Sequence, residues 1–129
     1  MSVNENTEKI PDAELEVMKV VWANESPISS TFIQSILNRE REWLLTSINT
    51  LLSRLAVRSF VSSEKVGKNR LYIPLVKESE YIAFENKQFL KKVNDNSVKK
   101  FLTSLYDNNA LTKQDIEELK KFIQEKGEE

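Results

Sequence analysis

Between Thr46 and Arg58 the chain runs TSINTLLSRLAVR, with Ile48, Leu51, Leu52 and Leu55 at i, i+3, i+4 and i+7. That is the apolar stripe of an amphipathic helix. Directly after it the period changes. Phe60 to Val66 and Arg70 to Leu75 are short runs rich in Val, Phe, Tyr and Ile, separated by Gly67-Lys68-Asn69, and this reads as a β-hairpin. Pro74 falls near the end of the second run, where its missing N–H removes little from a two-stranded ladder.

Upstream, DAELEVMKVVWAN starts at Asp12 and places Leu15, Met18, Val21 and Trp22 at helical spacing, with Asp12 positioned to cap the first turn. Ser26-Pro27 interrupts. Ser29 can cap a second helix with an apolar face of Phe32, Ile33, Ile36 and Leu37. The charged turn Arg39-Glu40-Arg41-Glu42 and then Trp43 lead into the third. Three helices followed by a hairpin make a winged helix-turn-helix, expected over residues 1–76.

Downstream, residues 77–129 are helical and amphipathic throughout. Tyr81, Ile82, Phe84, Phe89, Leu90 and Val93 mark one helix, and Val98, Phe101, Leu102 and Leu105 a second. Thr112-Lys113-Gln114-Asp115 is a capping box with Asp in place of Glu, and it opens a third helix carrying Ile116, Leu119, Phe122 and Ile123. Three short helices of this kind make a poor independent core. Their stripes either pack back on the winged helix or interdigitate with a second copy; the small size favours an isologous dimer. The predicted dimer contacts are Ile82, Phe89, Phe101, Leu102, Leu105, Ile116, Leu119, Phe122 and Ile123. The expected fold class is mainly α with a small β-hairpin: a winged helix-turn-helix domain plus a C-terminal helical dimerisation region.

Composition narrows the function. The 129 residues include no cysteine and no histidine, which removes disulfides, thiolate chemistry, zinc-finger sites and imidazole catalysis. With only Gly67 and Gly127 there is no glycine-rich phosphate loop. The chain reads as a non-enzyme, with no metal and no cofactor. No apolar run approaches the roughly 18–20 residues that cross a bilayer, and the polar start MSVNENTEKIPDAE lacks the features of a secretory signal. A cytoplasmic protein without membrane contact is expected.

The net charge of −1 conceals an asymmetry. Residues 1–38 hold two lysines against six acids, a net of −4, whereas residues 39–70 hold seven cations against three acids, a net of +4. With its apolar stripe removed, the third helix presents Thr46, Ser47, Asn49, Thr50, Ser53, Arg54 and Arg58, a polar face without an acid. Exposed helices of no special purpose usually mix Glu with Lys at i, i+4. Short hydrogen-bonding side chains near a helix N-terminus suit base edges in a major groove, and cations further along suit phosphates. Thr46, Ser47, Asn49 and Thr50 fit the first role, Arg54 and Arg58 the second. Pairing of Arg54 with acids of the first helix is an alternative of nearly equal weight. Lys65, Lys68 and Arg70 surround the wing tip and could reach the DNA backbone or minor groove. The competing reading is a winged helix that docks another protein without specific DNA binding, since a fold does not fix a function.

Taken together, Asp12-Ala13-Glu14-Leu15-Glu16-Val17-Met18 with Val21-Trp22, Trp43 followed by Ile48-Asn49-Thr50-Leu51-Leu52-Ser53-Arg54-Leu55, Leu71-Tyr72-Ile73-Pro74-Leu75-Val76, and Leu111 to Leu119 resemble the BlaI/MecI/CopY family of repressors. The resemblance spans most of the chain. It implies a homodimer on a palindromic double-stranded DNA operator with TACA/TGTA-like half-sites, and it adds Trp43 to the DNA contacts. The chain departs from the family at four places. The family's Lys-Lys-Gly after the helix Arg-Leu pair is replaced by Ala56-Val57-Arg58-Ser59, which predicts a slightly different turn into the wing. Leu44-Leu45 stands where a polar cap is common, leaving the start of the helix open. Without cysteine the paired Cys-x-Cys of the copper-responsive members is missing. The position where β-lactam-responsive members are cut between Asn and Phe falls on Ser104-Leu105, a pair that does not match. A cut there would still separate the last helix and weaken a two-site binder. The inducing signal and any sensor or protease partner stay open.

Overall fold

The protein, described from a computed structural model, is seen over residues 8–128. The first seven residues of the polar N-terminal stretch, read above as lacking a secretory signal, lie outside them. The elements are α1 (Asp12–Ala23), β1 (Ile28–Ser29), α2 (Ser30–Leu37), α3 (Leu45–Val57), β2 (Val61–Val66), β3 (Asn69–Pro74), α4 (Glu78–Asn94), α5 (Val98–Asp107) and α6 (Lys113–Gly127). The chain divides into two compact units between Glu85 and Asn86, beyond the boundary expected at Val76.

In the first unit the three helices bury the stripes read from the sequence. Met18 and Val21 of α1, Ile33 of α2, and Ile48, Leu52 and Leu55 of α3 join Ile10, Val17, Phe60 and Tyr81 in one core. Truncating Leu52, whose side chain is fully enclosed, would cost about 2–5 kcal/mol. Phe32 departs from expectation: it is 44% exposed, because Ile33 takes the inward position on so short a helix. Asp12 is not the cap of α1. Pro11 occupies that position, and Asp12 and Glu14 lie in the first turn, where negative charge meets the helix N-terminus favourably. Ser29 caps α2 as read, accepting from the Phe32 N–H at 3.2 Å.

The hairpin pairs Val61 with Pro74 through to Val66 with Asn69, closed by Gly67-Lys68. Gly67 takes a φ of 64°, natural for glycine in a tight hairpin turn. A third strand that the periodicity did not reveal, β1, pairs Ile28 with Tyr72 and Ser29 with Leu71, giving the antiparallel order β1-β3-β2. Two residues are too few to show an alternation.

The unit reaches past Val76 because Tyr81 belongs to its core. The Tyr81 ring lies against Phe60 at 5.5 Å and Trp22 at 5.8 Å between centroids, and its hydroxyl accepts from the Ile10 N–H at 2.9 Å. Burial, reinforced by the Glu85 carboxylate, pushes its pKa up to about 12.

The second unit contains the end of α4 with α5 and α6. Phe89 meets Phe101 edge to face at 6.0 Å. Ser97 caps α5 through the Lys100 N–H, and α6 opens on the reciprocal box of Thr112 and Asp115. The hydrogen bonds from Thr112 hold the Asp115 carboxyl below its usual pKa range. Neither α5 nor α6 contains a buried residue, while Phe89, Val93, Val98, Phe122 and Ile123 are 46–62% exposed. Among the described residues no helix is long and apolar enough to cross a membrane.

Candidate nucleic-acid interface

The site is built on α3. Its buried stripe presses Ile48, Leu52 and Leu55 into the core, so the opposite face must meet solvent. Thr46, Ser47, Asn49, Thr50, Ser53 and Arg54 are all exposed on it. Among the described residues Arg54 has no carboxylate partner, whereas the Thr50 hydroxyl donates to the Thr46 carbonyl at 3.0 Å. The helix begins at Leu45 with Leu44 as its N-cap and no side-chain cap bond. Its first N–H groups and the positive end of its dipole are therefore free of a capping side chain.

The approach to α3 is fixed from α2. Asn38 Oδ1 accepts from the Trp43 N–H at 2.7 Å, and Gln34 Nε2 donates to the Trp43 carbonyl at 2.9 Å. Trp43 is only 7% exposed and belongs to the core. The core and α2 thus fix its place at the start of α3, where it also lines the groove beside Ser47, Thr50 and Arg54.

Arg58 likewise differs from expectation. Its guanidinium reaches Glu8 at 2.7 Å and the buried Glu14 at 3.1 Å. The arginine pairing with α1 is thus Arg58, and Arg54 stays outward. Glu14 is a group the sequence reading missed, although a signal was present: it lies at i, i+3, i+4 and i+7 with Val17, Met18 and Val21, so a carboxylate sits in the inward stripe. Arg41 was also passed over within a turn of alternating charges. It pairs with Glu16 at 3.0 Å and lies 4.0 Å over the Trp43 ring.

The turn after α3 is made without glycine. Ser59 itself adopts a φ of 64°, with its N–H on Ala56 O at 3.0 Å and the Phe60 N–H on Leu55 O at 2.9 Å. This is the Schellman arrangement that a glycine usually makes. In the wing, Lys65, Lys68 and Arg70 are exposed, and Arg70 Nη1 donates to Ser63 Oγ across the hairpin at 2.9 Å.

Of the residues expected at a dimer interface, Ile82 lies in the first unit and the other eight in the second. Phe101, Leu102, Leu105, Ile116 and Leu119 are half-buried, while Ile82, Phe89, Phe122 and Ile123 are exposed. Ser104-Leu105 is inside α5, where the Ser104 carbonyl accepts from the Asn108 N–H and side chain. Proteolysis prefers exposed loop tips, so a cut there requires the last turns of α5 to open. No group of acidic residues capable of holding a metal ion occurs among the described residues.

Comparison with known proteins matches this architecture. The family model described as Penicillinase repressor matches residues 10–125. The chain is similar to the Penicillinase repressor of Bacillus licheniformis, 31% identical over 117 residues that cover 91% of each protein. It is also similar to the methicillin resistance regulatory protein MecI of Mammaliicoccus sciuri, 28% identical over 96% of this chain and 100% of that protein. Among solved structures it resembles the DNA binding domain of the repressor BlaI, at a TM-score of 0.50 and 37% identity, covering 57% of this chain and 88% of that one.

Proposed function

The chain belongs to the penicillinase repressor family, and on that premise we propose that it is a DNA-binding transcriptional repressor acting as a homodimer on a palindromic operator. The observation that carries this reading is the exposed, acid-free face of α3. A wholly apolar face on one side anchors the helix, and Thr46, Ser47, Asn49, Thr50, Ser53 and Arg54 stand exposed on the other. Asn49 suits bidentate pairing with adenine, and the threonine methyls suit a thymine methyl. Arg54 and the wing cations Lys65, Lys68 and Arg70 would hold phosphates. Trp43 and Arg58 act behind this surface, the first by setting the start of α3 and the second by securing its end.

The dimer reading rests on the second unit. Its helices carry apolar faces that they only partly bury against one another, and a second copy supplies a matching face by symmetry. Two α3 helices would then enter successive major grooves about one helical turn apart.

The test is selection of bound sequences from a random duplex pool by the purified protein at two salt concentrations. The expected result is a palindromic motif whose affinity falls steeply as salt rises. Failure to enrich any motif at either salt would refute specific DNA binding and favour a protein partner for the exposed face of α3.

A further inference from the structure

We propose that Arg41, outside the polar face of α3, is a prepositioned clamp for a DNA backbone phosphate, and that it works with Arg54 across a groove at the start of that helix. The proposal rests on the repressor reading and assigns one more contact to it. The groove, of about 530 Å³, is lined by Ala13 of α1, the segment Arg41 to Leu44, and Ser47, Thr50, Leu51 and Arg54 of α3. Arg41 and Arg54 thus line one groove together with two hydroxyl side chains. Among the described residues Glu42 is the only carboxylate lining it.

Arg41 is held in place before any ligand arrives. One guanidinium nitrogen, Nη2, is 3.0 Å from Glu16, and the guanidinium lies over Trp43 with Cζ 4.0 Å from the ring centroid. Trp43 is in turn fixed by Asn38 and Gln34. Stacking of this kind suits arginine, whose planar fork loses little further freedom when it binds an oxyanion. The remaining N–H groups of the fork have no protein partner among the described residues. The Arg41 side chain is 58% exposed and that of Glu16 47%. A surface pair of that exposure adds little to folding, so stability alone does not account for the double contact of this arginine. A phosphate diester accepts hydrogen bonds in the plane of such a fork. Glu16 competes with the phosphate for the same guanidinium and weakens binding to any duplex.

The experiment measures binding of the full-length protein to a duplex carrying its selected motif and to a scrambled duplex of the same length, over a range of salt. Arg41→Gln is expected to weaken binding to both duplexes by about tenfold, since a charged hydrogen bond is removed. The slope of log K against log salt should fall by about 0.9 for each protein copy bound. The preferred motif and the melting temperature should not move. Glu16→Gln breaks the same surface pair but should tighten binding to both duplexes a few-fold. If Arg41 were merely a structural tie to α1, the two variants would behave alike. Parallel weakening by both, or an unchanged slope in Arg41→Gln while the wild type binds normally, overturns the clamp and leaves the repressor reading intact. A wild type that binds neither duplex overturns both.

Discussion

The guanidinium of Arg58 stands 3.1 Å from the carboxylate of Glu14, linking the C-terminal end of α3 to the inward face of α1. Glu14 is 1% exposed, and its Oε1 lacks a well-aligned hydrogen bond, so the contact is chiefly coulombic. Glu8 reinforces it from the other side at 2.7 Å. Removing the cation strands a carboxylate in the core. Arg58→Ala should therefore destabilise the protein by about 2–4 kcal/mol, with part of that stability recovered in Arg58→Lys. Urea denaturation checks this, and a change below about 0.5 kcal/mol would show that Glu14 is satisfied otherwise.

Ser59 holds a left-handed backbone, φ 64°, in a turn whose geometry normally recruits glycine. A side chain in that region is strained by about 1–2 kcal/mol. Ser59→Gly should raise stability by about 0.5–1 kcal/mol after the greater entropy of the unfolded glycine is deducted. A thermal melt showing a lower midpoint would mean that the serine hydroxyl contributes more than the strain removes.

Asn49 and Thr50 stand exposed on the outward face of α3. Their double replacement by alanine should flatten the difference between the selected motif and a scrambled duplex by about 1–3 kcal/mol for each base no longer recognised, with no change in sedimentation. Preserved motif preference in the double variant would move base recognition to other residues.

Phe122 and Ile123 of α6 are 56% and 62% exposed in the single chain. Replacing both with Asp should leave the helix formed, yield a protein that sediments as a monomer, and weaken binding to the full palindrome far more than to a half-site. A variant that still sediments as a dimer would place the interface elsewhere.

The Tyr81 hydroxyl, held up to about 12 by burial and by Glu85, gives a signed pH effect. The ordinary tyrosine value is 10.0, so the protonated form is favoured in the folded state. Its stabilisation is full below pH 10.0 and is lost as pH rises toward 12, on the order of 3 kcal/mol in all. Tyr81→Phe should be less stable at neutral pH, because the Ile10 N–H loses its acceptor, and should fall less steeply over the alkaline range. Denaturation midpoints at several pH values for both proteins test this.

The winged helix was legible because its helices obey one period and its hairpin another, and because Ile48, Leu52 and Leu55 sit where the period puts them. The exposed face of α3 followed directly, as the complement of that stripe. Trp43 and Arg58 were not legible in the same way. A tryptophan next to a predicted DNA helix reads equally as contact or as core until its neighbours are known; here its backbone is bonded by Asn38 and Gln34 and its ring lies in the core. Arg58 continues the polar face by sequence spacing, yet it lies at the helix cap, where the chain turns and the side chain meets Glu14. The division between Glu85 and Asn86, past the boundary expected at Val76, has a related cause. Tyr81 shares a helical pattern with Ile82 and Phe89, and the rings of Phe60 and Trp22 and the Ile10 N–H are what seat it in the first core.

Asn38 and Gln34 grip both backbone groups of Trp43, and neither of them lies on α3. The entry into α3, the proposed reading helix, is therefore set in part by its neighbour. Residues on the outward side of α3 can drift without disturbing the bearing on which they are mounted, much as a key blank accepts new teeth while its shank stays the same. A lineage built this way can acquire new target sequences by surface change alone, and an engineer can graft a foreign recognition surface onto Thr46, Ser47, Asn49 and Thr50 with α2 left untouched.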